Sequence, residues 1–155
     1  MNNVIKVKTK QIWFDMDGTI ADLYGVQGWL NQLEAEDSTP YKTAKPMVNM
    51  SRLARYLNKL QRFGYQINII SWGSKDASPE YLSAIKQAKK EWLKKHLKSV
   101  KFDVINIVEY GTPKFKNRNG ILFDDEQGNR RYWKGLAFDE KSIFEVLSRL
   151  ECAPV

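Results

Sequence analysis

The sequence predicts a single α/β domain built on a central parallel, doubly wound sheet, and three observations carry that expectation. Short apolar runs recur at residues 12–14, 67–70, 104–108, 121–123 and 136–138. Segments of helical periodicity separate most of these runs. Strands and helices therefore alternate along the chain, the pattern of βαβ units and a parallel sheet. In such sheets ligands bind beyond the carboxyl ends of the strands, where the strand order reverses, so chemistry is sought there. The 155 residues are enough for one domain that buries roughly 68–70% of its unfolded surface. Hydrophobic residues make up 43% and aromatic residues 12%, which supports a packed core and argues against disorder. The chain shows neither an internal repeat nor a low-complexity stretch.

The first strand is the apolar run Ile12-Trp13-Phe14, which ends in Asp15-Met16-Asp17-Gly18-Thr19 and a sharp turn. Residues 21–45 are mixed: Trp29, Leu30 and Leu33 form one face of a short helix, and 34–40, closing on Pro40, break it. Leu53, Leu57, Leu60 and Phe63 recur at helical spacing, and Gly64 stands where a helix C-cap belongs. Residues 66–71 read as the second strand and 72–77 as a loop. Ser78 as N-cap and Pro79 at the first helical position then start a helix that runs to about Leu97. Its apolar stripe is Tyr81, Ile85, Ala88 and Trp92, with lysines on much of the remainder. The third strand covers 104–108, Gly111-Thr112-Pro113 turns the chain, and 114–120 form a basic loop. The strand at 121–123 ends in Asp124 and Asp125. Residues 127–134 form a helix or turn, 136–138 a brief strand, and 139–150 a last helix capped by Asp139.

Asp15 and Asp17 are two apart on extended backbone, so both carboxylates can face one site while Met16 faces the other way. Two anions so close repel unless a cation joins them, and all-oxygen surroundings favour Mg2+. If the strands at 12–14 and 121–123 are neighbours across the switch point, Asp124 and Asp125 converge on the same place.

Asp15-Met16-Asp17-Gly18-Thr19 after an apolar strand resembles the first motif of the haloacid dehalogenase-like (HAD) phosphohydrolases. Candidates for the other three motifs follow in order. Ser71 at a strand end is similar to the second; Lys114, ten residues before Asp124, resembles the third-motif lysine of deoxyribonucleotidase-like members; Asp124-Asp125 is similar to the fourth, with Glu126 and Asn129 alongside. Lys116 and Lys98 compete with Lys114 for the third position. The resemblance implies a HAD-like Rossmannoid three-layer sandwich with a minimal cap insertion at 21–47. It further implies a Mg2+-dependent phosphatase in which Asp15 is the nucleophile and Asp17 the general acid and base. Ser71 and Lys114 would then bind phosphoryl oxygens, and Asp124 and Asp125 would hold the metal with Asp15 and Asp17. Gly18 and Thr19 would bring backbone amides to the phosphate, with Trp72 and Gly73 at the substrate-binding rim. The insertion is smaller than a deoxyribonucleotidase cap, which leaves the site open to nucleotides, another small phosphate, a nucleic-acid end or a phosphoprotein.

Net charge is +7, which biases encounters toward polyanions. Lys86, Lys89, Lys90, Lys94, Lys95, Lys98 and Lys101 form either a solvated outer helix face or a surface for nucleic-acid phosphates. That second possibility is the alternative to the enzyme: a nucleic-acid-binding protein, or an end phosphatase, on the same scaffold. Trp72 is open between stacking on a base and packing in the core. His96 is the only histidine, which excludes His-based triads and His-rich zinc sites and leaves it as an end-of-helix residue. A single cysteine, Cys152, excludes an internal disulfide. No apolar run reaches the ~18 residues of a membrane span and no signal peptide is read at the N-terminus, so the expectation is a cytoplasmic protein.

Overall fold

A computed structural model describes residues 3–152. Its centre is a sheet of five strands, all paired in parallel, in the order β5-β4-β1-β6-β7. These are β1 (Gln11–Phe14), β4 (Gln66–Trp72), β5 (Val104–Val108), β6 (Ile121–Phe123) and β7 (Leu136–Phe138). The chain builds outward from β1 to β4 and β5, then returns to the other side of β1 for β6 and β7. The order thus reverses between β1 and β6, whose registers align Phe14 with Phe123. The architecture is α/β with flanking helices, compatible with a Rossmann-like sandwich.

One face of the sheet carries the main core. Ile12, Phe14, Ile67, Ile69, Ile121 and Phe123 are buried there against helices α3 (Met50–Arg62), α4 (Pro79–His96) and α6 (Ile143–Arg149). Helix α3 forms as its spacing dictates: Leu53, Leu57 and Leu60 make a buried stripe, the Asn49 side chain accepts from the Arg52 amide, and Gly64 takes φ +92° past its end. Each such buried leucine contributes about 1.5–3 kcal/mol. In α4, Ser78 caps by accepting from the Tyr81 amide at 3.1 Å. The opposite face has a thinner cover, in which Trp13, Ile70 and Leu122 pack with Trp133 and Phe115. Trp133 closes helix α5 (Gln127–Tyr132).

Between β1 and α3 the chain inserts β2 (Ala21–Asp22), α1 (Trp29–Glu34), α2 (Thr39–Thr43) and β3 (Lys45–Pro46), with β2 and β3 antiparallel. The insertion therefore holds two short helices where the sequence suggests one. Pro40, read as a breaker, opens α2 instead, because proline at the first turn lacks only an amide that would go unbonded there. The insertion is tied to α4: Glu36 accepts from the Ser78 amide and hydroxyl at 2.8 Å, the Tyr81 hydroxyl donates to the Asp37 carbonyl, and the Trp92 indole donates to the Ala44 carbonyl. Two further boundaries differ from expectation. Trp72 belongs to β4, paired with Val108, and the last helix begins as a 3-10 turn (Glu140–Ser142) before α6. Among the described residues no helix is long and apolar enough to cross a membrane.

Candidate active site

Asp15 and Asp17 follow the last residue of β1, and Asp124 and Asp125 follow the last residue of β6, so the switch point gathers four carboxylates. Asp15, Asp124 and Asp125 can each place one oxygen within 4.8 Å of the others. The Lys114 ammonium joins this cluster, donating to Asp15 Oδ1 at 2.9 Å and Asp124 Oδ2 at 2.7 Å. Lys114 is buried against these acids, whereas Lys116 and Lys98 are exposed.

The surrounding turns hold these groups in place. Thr19 is fully buried; its hydroxyl donates to Asp15 Oδ2 at 2.9 Å and accepts from the Asp125 amide at 3.1 Å, linking the two strand ends. Gly18 has φ +81°, and a Cβ there would run into the Asp125 carboxylate. Asp124 Oδ1 accepts from the Glu126 amide, and Asn129 and Arg130 of α5 bond its Oδ2 and carbonyl. Helix α5 thereby orients an acid that the sheet alone would leave free to rotate.

Three expected placements need correction. Asp17 is not among the three carboxylates that converge for a metal: its Oδ2 accepts from Lys89 Nζ at 2.8 Å. The Gly18 and Thr19 amides are consumed inside the turn, donating to the Ala21 and Met16 carbonyls, so neither is free for a phosphate. Ser71 is fully buried and does not line the cavity; its hydroxyl accepts from Lys89 Nζ at 2.6 Å. Lys89 accordingly leaves the solvated lysine face on which the sequence put it and enters the site. It was legible in one respect: it stands four residues after Ile85 and three before Trp92, on the stripe the helix buries.

A cavity of about 450 Å³ opens above the acids. Asp15, Asp17, Lys114, Asp124 and Asp125 form its polar floor. Tyr24, Trp29 and Tyr41 of the insertion wall one side, and Trp72, Gly73 and Tyr110 wall another. Trp72 is half-buried: its indole nitrogen donates to the Thr112 carbonyl at 2.8 Å, its ring lies 5.0 Å from that of Tyr110, and it lines the cavity. His96 packs on Trp92 at the end of α4, with ring centroids 4.5 Å apart.

Burial sets the protonation of the floor. It pushes the Asp125 carboxyl up to about 8, with help from its hydrogen bond to Asp15 and the nearby Asp15 and Asp124 charges. Burial and the Asp15 charge likewise lift Asp124 to about 6. Burial would raise Asp15 too, but the Lys114 charge and hydrogen bonds from Lys114 and Asp125 bring its carboxyl below the ordinary range. Asp17 is raised by burial in spite of Lys89. For Lys114 burial disfavours the charge, and Asp15 and Asp124 overcome it, so its ammonium is held more firmly than usual.

Four carboxylates face two ammonium groups here, an excess of two negative charges when all are ionised. The donors are all carboxylate oxygens, which suits a hard divalent cation. Asp15, Asp124 and Asp125 can hold such an ion. No protein-family model and no curated protein matches the chain.

Proposed function

We propose that the protein is a Mg2+-dependent phosphomonoesterase that works through an aspartyl-phosphate on Asp15. The observation that carries this reading is the Lys114 ammonium set between Asp15 and Asp124 under an open cavity, with Asp17 beside them. Phosphoryl transfer asks for positioned charge more than for covalent machinery, and this floor supplies it. Asp15, held ionised, attacks phosphorus as the bond to the leaving oxygen breaks. Burial raises the Asp17 carboxyl above its ordinary value, which favours its acid form; Asp17 gives a proton to that oxygen and then takes one from the water that attacks the aspartyl-phosphate, releasing inorganic phosphate. Lys114 neutralises charge on the transferred group and keeps the Asp15 carboxylate aimed. Mg2+ bound by Asp15, Asp124 and Asp125 would add charge neutralisation at the phosphoryl oxygens.

The aromatic walls favour a nucleotide or another phosphate monoester with a planar group, since aromatic faces hold bases by stacking. Phosphate release from nucleoside monophosphates, sugar phosphates, phosphopeptides and phosphorylated oligonucleotides, with Mg2+ or with EDTA, tests the reading. Release that requires the metal supports it, and silence with every substrate counts against it.

One observation favours a second reading, a nucleic-acid-binding role. Arg55, Lys59 and Arg62 on α3 and Lys90, Lys94 and Lys98 on and just after α4 are exposed and form no ion pair among the described residues. Asn58 bonds Ser99, and Gln61 bonds the Lys101 carbonyl, which ties α3 to the segment between α4 and β5. Binding of DNA or RNA that weakens steeply with salt and is lost on charge reversal at Lys90 and Lys94 would support it.

A further inference from the structure

Lys89 is the one fully buried cation of the site that makes no contact with the converging carboxylate trio. An ammonium has three protons, and each has an acceptor: Asp17 Oδ2 at 2.8 Å, Ser71 Oγ at 2.6 Å and the Trp72 carbonyl at 2.7 Å. The group is saturated, 1% exposed and absent from the cavity lining, so it has nothing left to offer a substrate. Its partners come from separate parts of the chain. Asp17 follows β1, Ser71 and Trp72 end β4, Lys89 itself rides on α4, and Tyr41 of the insertion lays its ring 5.0 Å from the ammonium. The Asp17 side chain, by contrast, is 16% exposed and reaches the cavity.

We propose that Lys89 is a positioning residue: by anchoring Asp17 to the end of β4 it fixes the carboxylate that passes protons to and from the reacting oxygens. The proposal rests on the phosphomonoesterase reading and deepens it. A lysine stem loses up to about 2 kcal/mol of rotamer freedom when it is ordered, and three short hydrogen bonds from one charged group offset that cost. What the arrangement secures is the direction of the Asp17 carboxylate. Without the anchor the side chain has no other hydrogen bond to hold it at the floor among the described residues. Ser71 then takes a different part from the one its sequence position suggests: it is the far end of the anchor and does not meet the phosphate.

The test uses Lys89→Met, Asp17→Asn and the double variant, with kcat and KM measured for two monoesters. One, β-glycerophosphate, has a leaving group that needs a proton; the other, p-nitrophenyl phosphate, has one that leaves without it. If Lys89 acts through Asp17, Lys89→Met lowers kcat on β-glycerophosphate by about 100-fold, the scale of one general acid. The loss on p-nitrophenyl phosphate is at least tenfold smaller, KM changes little, and the double variant is no slower than Asp17→Asn. Should Lys89→Met fail to fold, the double variant, which leaves no unpaired buried charge, makes the comparison with Asp17→Asn alone. The proposal is overturned by a folded Lys89→Met with wild-type kcat, by equal losses on both esters, or by a full second loss in the Asp17→Asn background. Wild-type protein that hydrolyses neither these esters nor any monoester of the panel above overturns the phosphomonoesterase reading itself, before any variant is compared, and the positioning role falls with it.

Discussion

Asp125 couples any cation at the site to pH, and the coupling is large enough to measure by thermal unfolding. Without a cation, burial and its neighbours hold the Asp125 carboxyl up at about 8, far above its ordinary 3.8. The folded protein then binds a proton that the unfolded chain has released. Its stability in EDTA therefore falls as pH rises through that window. A divalent cation has to displace the proton, so its apparent affinity climbs about tenfold per pH unit below 8, which is about 1.4 kcal/mol per unit. For a chain of this size each kcal/mol moves Tm by about 2–4 °C, so the Mg2+-induced shift should grow by about 3–6 °C for each unit between pH 6 and pH 8. The assay is a thermal melt with fixed Mg2+ or with EDTA at pH 6, 7 and 8, on wild type and Asp125→Asn. Asp125→Asn should be the more stable protein in EDTA at pH 8 and should lose most of the Mg2+ response. A Mg2+ shift that is the same at all three pH values, or one that survives intact in Asp125→Asn, would refute the reasoning.

Two further outcomes follow from the geometry. Lys114→Met removes the ammonium from between two buried carboxylates and should cost about 3–5 kcal/mol in urea unfolding at pH 8. The cost should shrink at pH 5, because Asp124, already raised to about 6, then carries a proton and needs no partner. Trp29→Ala and Tyr24→Ala remove the insertion's side of the aromatic wall. Each should raise KM for nucleoside monophosphates about 5- to 100-fold, the scale of one base-stacking contact, while leaving KM for inorganic-like small esters nearly unchanged.

The parts of this site that were legible in the sequence are those governed by strand geometry. Apolar runs closing on acids place Asp15, Asp17, Asp124 and Asp125 at strand ends, and the alternation with helices brings those ends to one edge of the sheet. The parts that stayed hidden depend on which way a flexible side chain turns. Lys89 sits among six other lysines of one segment, and charge patterning alone assigns all seven to solvent. Only its place on the buried stripe beside Ile85 and Trp92 separates it from Lys90, one residue on and exposed. Ser71 lies one residue before the end of β4, and its hydroxyl faces Lys89, because the tertiary packing of α4 against the sheet brings an ammonium there that no local pattern announces. Tyr24 and Trp29 entered the cavity wall for a similar reason: the insertion folds back over β1 through β2 and β3, a pairing of two residues each that carries little sequence signal. Pro40 shows the opposite error, a strong local signal read in the wrong sense, since the same ring that ends a helix also starts one.

The measurement that bears most directly on the central claim is phosphate release by wild type and Asp15→Asn, in Mg2+ and in EDTA, on the best monoester found. With Asp15 as the nucleophile, wild type should release phosphate only with the metal, and a folded Asp15→Asn should release none in either condition. Turnover by Asp15→Asn at the wild-type rate would contradict that role.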